Sequence, residues 1–159
     1  LQDTFCWSKP ICSPFDGEVI EAKDGLEERN PVHVIRDLAI VLKNGFFFRG
    51  KCNDDLHPVL GNFIILKKHE GIFSLIAHAR KDSIKVSQGQ TVKEGQELAQ
   101  VGHSGNSTAP HLHFQLMNNS NLFEAEGLPC CFKTYQVYKD GEWESVDNGI
   151  PGRRERIKV

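Results

Sequence analysis

Apolar positions along the chain fall in short runs, and most have the period or length of β-strands. Residues 18–22, Glu-Val-Ile-Glu-Ala, read as a short strand after the turn-forming Pro14-Phe15-Asp16-Gly17. From Gly61 the β pattern is continuous. Residues 62–68 and 72–79 are apolar-rich and separated only by His69-Glu70-Gly71, which predicts a hairpin. Shorter runs follow at 83–86, 91–92 and 97–101, punctuated by Gly89, Gly95 and Gly102, and the last run is 111–117. Short strands at this spacing predict a mainly β domain built as an antiparallel sheet or barrel-like sandwich.

Residues 24–60 break the pattern. Val34, Ile35, Leu38, Ile40, Val41 and Leu42 have mixed spacing and predict one helix. Asn30 can cap it, Pro31 suits its first turn, and Gly45 would stop it. In this reading it is an ordinary amphipathic helix with His33 and Asp37 in solvent. Residues 51–58 read as a polar loop that carries His57. Beyond Ser120 the chain becomes loop-rich, with one more hairpin expected from 135–138 and 142–146 about Asp140-Gly141. The expected organisation is a β domain over 1–120 and a C-terminal extension with a hairpin over 121–159.

A chain of 159 residues suits one domain with a tail, large enough to form a core without disulfides or metal. The net charge of −2 gives no support to nucleic-acid binding. No apolar run approaches the ~18 residues of a membrane span. The start, Leu1-Gln2-Asp3, shows neither an initiator Met nor a signal peptide, which suggests a processed chain or a fragment. The five cysteines, Cys6, Cys12, Cys52, Cys130 and Cys131, fit neither a zinc ribbon nor a CxxC redox site. They are expected to be reduced thiols.

Chemistry concentrates in residues 102–116, Gly-His-Ser-Gly-Asn-Ser-Thr-Ala-Pro-His-Leu-His-Phe-Gln-Leu. If 111–117 is a strand, His111 and His113 share one face, ~6–7 Å apart, while Leu112, Phe114 and Leu116 face a core. That spacing suits one metal ligand beside one acid–base group better than two equal ligands. The preceding loop would let a substrate approach the backbone closely. His103 in that loop either lines the cleft or faces solvent. His57 and His69 are expected at the surface.

Several segments together resemble the lysostaphin-type (LytM-like) zinc endopeptidases. They are residues 10–19 (Pro-Ile-Cys-Ser-Pro-Phe-Asp-Gly-Glu-Val), 74–78 (Ser-Leu-Ile-Ala-His), 92–96 (Val-Lys-Glu-Gly-Gln) and 107–116 with its His-Leu-His-Phe. The resemblance spans about 10 to 117, interrupted by an insertion near 26–60, and implies that family's β fold with one inserted helix. It implies that His113 binds zinc and that His78 and His111 are catalytic histidines. A zinc-bound water has its pKa lowered towards ~7, and a nearby histidine can accept its proton. The implied substrates are peptide bonds in peptidoglycan, and the implied location is the cell envelope or outside the cell.

Family members take two further zinc ligands from an H-x-x-x-D motif just before the opening strand. No His precedes Pro10 here, and Asp3 is the one upstream carboxylate. Three readings remain open: the motif lies upstream in a longer precursor, the domain is degenerate and binds wall material or a protein partner without hydrolysis, or His33-Val34-Ile35-Arg36-Asp37 substitutes from the insertion. The 92–99 segment is also similar to biotinyl and lipoyl carrier domains, but it lacks their exposed lysine tip, and the histidines would be unexplained.

Overall fold

The computed structural model describes residues 4–29, 32–47 and 50–159. It divides into two compact units, 1–127 and 128–159.

In the first unit, β1 (Pro10–Cys12) and β2 (Gly17–Lys23) precede helix α1 (Val34–Phe47). A 3-10 turn at Asn53–Leu56 leads into the one-turn helix α2 (His57–Leu60). The remaining strands are β3 (Asn62–Lys68), β4 (Phe73–Ala79), β5 (Thr91–Val92), β6 (Glu97–Gln100) and β7 (His113–Met117), with the short β8 (Gly127–Leu128) at the boundary of the units. The central sheet orders its strands β5-β2-β3-β4-β7, all antiparallel. β1 and β6 form a separate antiparallel pair, with Ile11 opposite Ala99. The fold is mainly β and sandwich-like, not a closed barrel.

The run Phe63-Ile64-Ile65-Leu66 does not alternate with polar residues because both faces of β3 are covered. On one face Ile64, Leu66 and Ile76 pack with Ile11, Val19, Val92, Leu98 and Ala99, so the core lies between the central sheet and the β1-β6 pair. On the other face Phe63, Ile65, Leu75, Ala77 and Met117 form a second cluster, covered by Ile20, Leu60 and Leu122. The 62–68 and 72–79 runs are hairpin strands as expected, with His69–Gly71 as a 3-10 turn between them.

Several expectations are corrected. Residues 83–86 are not a strand, although Ser83 and Val86 are buried. The helix begins at Val34 and runs through Gly45 to Phe47, and the expected cap at Asn30-Pro31 lies outside the described residues. α1 also inverts the amphipathic expectation, for Ile35, Leu38 and Leu42 are exposed while Asp37 is fully buried. Burying Asp37 is tolerable because charged partners surround it, as described below. His57 opens α2 and is half-buried, with its ring edge-on to Phe63 at 6.1 Å.

The second unit is a sheet ordered β10-β9-β11, from β9 (Phe132–Lys139), β10 (Glu142–Gly149) and β11 (Ile157–Lys158). β9 and β10 pair antiparallel about Asp140-Gly141, where both residues take positive φ, as a tight hairpin turn requires. Tyr135 and Val137 are its buried side chains, and Lys158 sits 3.9 Å from the centre of the Trp143 ring.

Ile64 is fully buried between the sheets. Ile64→Ala is expected to lower stability by about 2–5 kcal/mol, read as a shifted midpoint in urea unfolding.

Candidate active site

His78 stands near the end of β4 with φ +62°, in the left-handed region. Between the pairs Asn62–Ala79 and Ile64–Ile76 the register slips, so Phe63 alone faces both Ala77 and His78. This is a β-bulge, which bends a strand and re-aims a side chain. Its effect is visible in packing, since Ala77 belongs to one core cluster and Ala79 to the opposite one. The bulge brings the His78 ring to 4.8 Å from that of His111 and 6.0 Å from that of His113, centre to centre.

His113 opens β7 opposite Ala77, but His111 and Leu112 precede the strand. The two histidines therefore do not stand on one strand face as the alternation suggested. Leu112 and Phe114 are also exposed rather than facing a core, while Leu116 packs against the inter-sheet cluster. His111 is placed instead by the 102–110 loop.

That loop is fastened to the ends of β3 and β4. The Ser104 hydroxyl donates to the Ala79 carbonyl at 2.8 Å and accepts the Asn62 backbone N–H at 3.0 Å. Asn106 N–H reaches the Val59 carbonyl at 2.7 Å. Gly105 (φ +67°) and Gly61 (φ +69°) approach so closely that a Cβ on Gly105 would strike the Gly61 backbone. Glycine is required there both for its positive φ and for lack of space.

The loop also sets the tautomers. His78 Nδ1 lies 2.9 Å from the Ser104 carbonyl and His111 Nδ1 lies 2.8 Å from the Ala109 carbonyl. A carbonyl only accepts, so each Nδ1 carries a proton, and in the neutral ring that leaves the lone pair on Nε2. Burial, with help from His111 and His113, pushes His78 down to about 4 against the pull of the Ser104 carbonyl. Burial likewise lowers His113, opposed by a hydrogen bond with Gln115. Both imidazoles are neutral at pH 7.

Behind this group lies a buried cluster. Asp37 Oδ1 accepts from Arg29 at 2.8 Å and from Arg36 at 3.2 Å, and Oδ2 accepts the His33 backbone N–H at 3.0 Å. Burial alone would raise the Asp37 carboxyl, but these donors outweigh it and hold it well below the usual range. His103 is fully buried, neither in the cleft nor in solvent, with Nε2 3.4 Å from Asp37 and Nδ1 2.8 Å from the Ser107 hydroxyl. Sequence reasoning missed the buried contacts of Arg29, Asp37 and Ser107, offering Asp37 only as a solvated residue or a substitute metal ligand. The available signal was an Asp among Val34, Leu38, Ile40 and Val41.

Residues 48–125 match the model of peptidase family M23, and this segment contains all three converging histidines. The chain carries an M23 peptidase domain. Over 69 residues it is 38% identical to the peptidoglycan DD-endopeptidase ShyB of Vibrio cholerae, covering 43% of this chain and 16% of that protein. Over 61 residues it is 46% identical to the glycyl-glycine endopeptidase ALE-1 of Staphylococcus capitis, covering 38% of this chain and 16% of that protein. The chain thus spans a small part of the length of these curated relatives. Among solved structures it is similar to the catalytic domain of lysostaphin from Staphylococcus simulans, at 24% identity and a TM-score of 0.49, over 76% of this chain and 68% of that one.

M23 is a zinc metallopeptidase family. The described side chains of this M23 domain do not complete a zinc donor set. Among the described residues no three His, Cys, Asp or Glu are grouped to hold a metal, whereas a catalytic zinc takes about three protein ligands. The H-x-x-x-D spelling at His33 and Asp37 does not fill the gap. His33 is exposed and precedes α1, and the Asp37 carboxylate is closed by two guanidinium groups. The described cysteines form no disulfide. No described helix is long and apolar enough to cross a membrane.

Burial pushes the His103 imidazole down, Arg29 adds to this, and Asp37 opposes it. The unfolded chain then binds this proton more readily than the folded one. The stability contribution is full above the unfolded value of about 6.5 and is lost as pH falls through the lower folded value. Urea titrations at pH 7 and pH 5 should therefore show a smaller acid loss for His103→Gln than for wild type. Equal losses would exclude His103 from the acid response.

Proposed function

We propose that this M23 domain hydrolyses peptide bonds in peptidoglycan-like substrates, with His78 and His111 as its proton-handling histidines and His113 as a zinc ligand. The observation that carries this reading is the convergence of three imidazoles, from the β4 bulge and from the segment entering β7. In two of them backbone carbonyls hold the Nδ1 proton, so that the neutral ring offers Nε2 as its acceptor. A neutral imidazole in this state accepts a proton from an attacking water. Once protonated, it presents an N–H to a developing oxyanion or a departing amine. The names of the relatives ShyB and ALE-1, both endopeptidases, support the substrate class.

His113 is the position these residues offer to the zinc of the family, so its other ligands have to come from outside the described grouping. The peptidoglycan named for ShyB favours an envelope or extracellular substrate, because peptidoglycan is found there.

The test is release of new amino termini from purified peptidoglycan and from crossbridge and stem peptides by the zinc-supplemented protein. Wild type should cleave in a chelator-sensitive manner, and His78→Ala or His111→Ala should each lower turnover by about 10²–10⁴-fold. His113→Ala should lose metal by elemental analysis. A wild type that binds sacculi without cleaving them, and a His111→Ala variant that binds equally well, would replace the peptidase with a binding domain.

A further inference from the structure

The cluster of Arg29, Asp37, His103 and Ser107 is buried, charged and unused by the reaction scheme above, yet it ends on His111. The Ser107 hydroxyl lies 2.8 Å from His103 Nδ1, 2.7 Å from the Ala109 carbonyl and 3.2 Å from His111 Nδ1. It therefore touches both His111 Nδ1 and the carbonyl that holds the proton on that nitrogen. Arg29 spans the same region from the other side. Its guanidinium donates to Asp37 and to the carbonyls of Gly105 and Ser107. Asp37 neutralises Arg29 and stands against His103, so α1 is tied to the loop through two contacts.

The cost of this arrangement argues for a use. Asp37, His103 and Ser107 are all fully buried, and removing one partner of a buried charged pair is strongly destabilising. An apolar packing of α1 on the loop would hold the fold as well. It would not present polar atoms to the Ala109 carbonyl and to His111. The exposed apolar residues Ile35, Leu38 and Leu42 on α1 show that burying apolar surface does not set the orientation of this helix.

We infer that His103 and Asp37 are positioning residues for His111, acting through Ser107 and the Arg29-held loop to fix its ring and its Nδ1–H tautomer. The inference rests on the role proposed for His111. Arg29 and Asp37 thereby become part of the active-site support rather than a surface decoration. A shift of ~1 Å in such a group lowers turnover by up to about 10²-fold.

The test has two readouts on the zinc-supplemented full protein. The first is the ¹⁵N signal pair of the His111 ring, which in wild type should show a protonated Nδ1 and a bare Nε2. The second is the division between kcat and KM on a cleavable peptide. Ser107→Ala and His103→Leu should mix or broaden the His111 tautomer signals. They should lower kcat by about 10–100-fold, with KM within about twofold. His103→Asn keeps a polar atom where Nδ1 stands and should restore much of both. If His103→Leu does not fold, Ser107→Ala, which removes a single atom, decides the matter. Folded variants with unchanged His111 signals and unchanged kcat would overturn the inference. A wild type that cleaves nothing defeats the proposed function alone, because the His111 signals still report whether Ser107 and His103 hold the ring.

Discussion

The attachment of the 102–110 loop to the ends of β3 and β4 is the contact on which the site depends. One serine hydroxyl, that of Ser104, joins the backbones of Asn62 and Ala79, and the Ser104 carbonyl holds the ring of His78. The Asn62 side chain adds bonds to the Ala79 and Leu26 carbonyls, and its own oxygen accepts the Leu26 N–H. Buried polar groups in such a network are costly unless each is paired, and pairing makes them specify one arrangement. The close approach of Gly61 and Gly105 leaves the loop no room to slide. Since the loop delivers His111 and the strand ends deliver His78, this single seam sets the distance between them.

The strained backbone at His78 follows from the same constraint. A regular strand would turn its side chain into the inter-sheet core, among Ile76, Val101 and their neighbours. The bulge spends one residue of β4 to turn it towards His113 instead, at the cost of a positive φ on a residue with a Cβ. Such strain persists where surrounding contacts over-determine it, and the Ser104 carbonyl and the Gly102 N–H bond to the His78 carbonyl are those contacts.

Much of the scaffold was legible from pattern. The 62–68 and 72–79 hairpin, the tight turn at Asp140-Gly141 and the β character of the whole chain followed from period, apolar runs and turn residues, which are local properties. The errors have a common cause. His111 reads as a strand residue because alternation cannot tell a strand from an extended entry segment. Residues 83–86 look like a strand because an apolar run does not report whether a partner exists. Asp37 reads as solvated because two of the partners that bury it, Arg29 and His103, lie 8 and 66 positions away.

By itself the sequence determined a mainly β chain with a lysostaphin-type signature and, through that resemblance, nominated His78, His111 and His113, because residue type and spacing carry that information directly. Only the tertiary structure decided that these three rings meet, since a one-residue bulge and a loop packed on two strand ends bring them together. It also decided that Asp37 is a buried support rather than a solvated or metal-binding carboxylate. The reason is geometric: the environment of a charge is set by what folds against it, and neither Arg29 nor His103 is its neighbour in the chain.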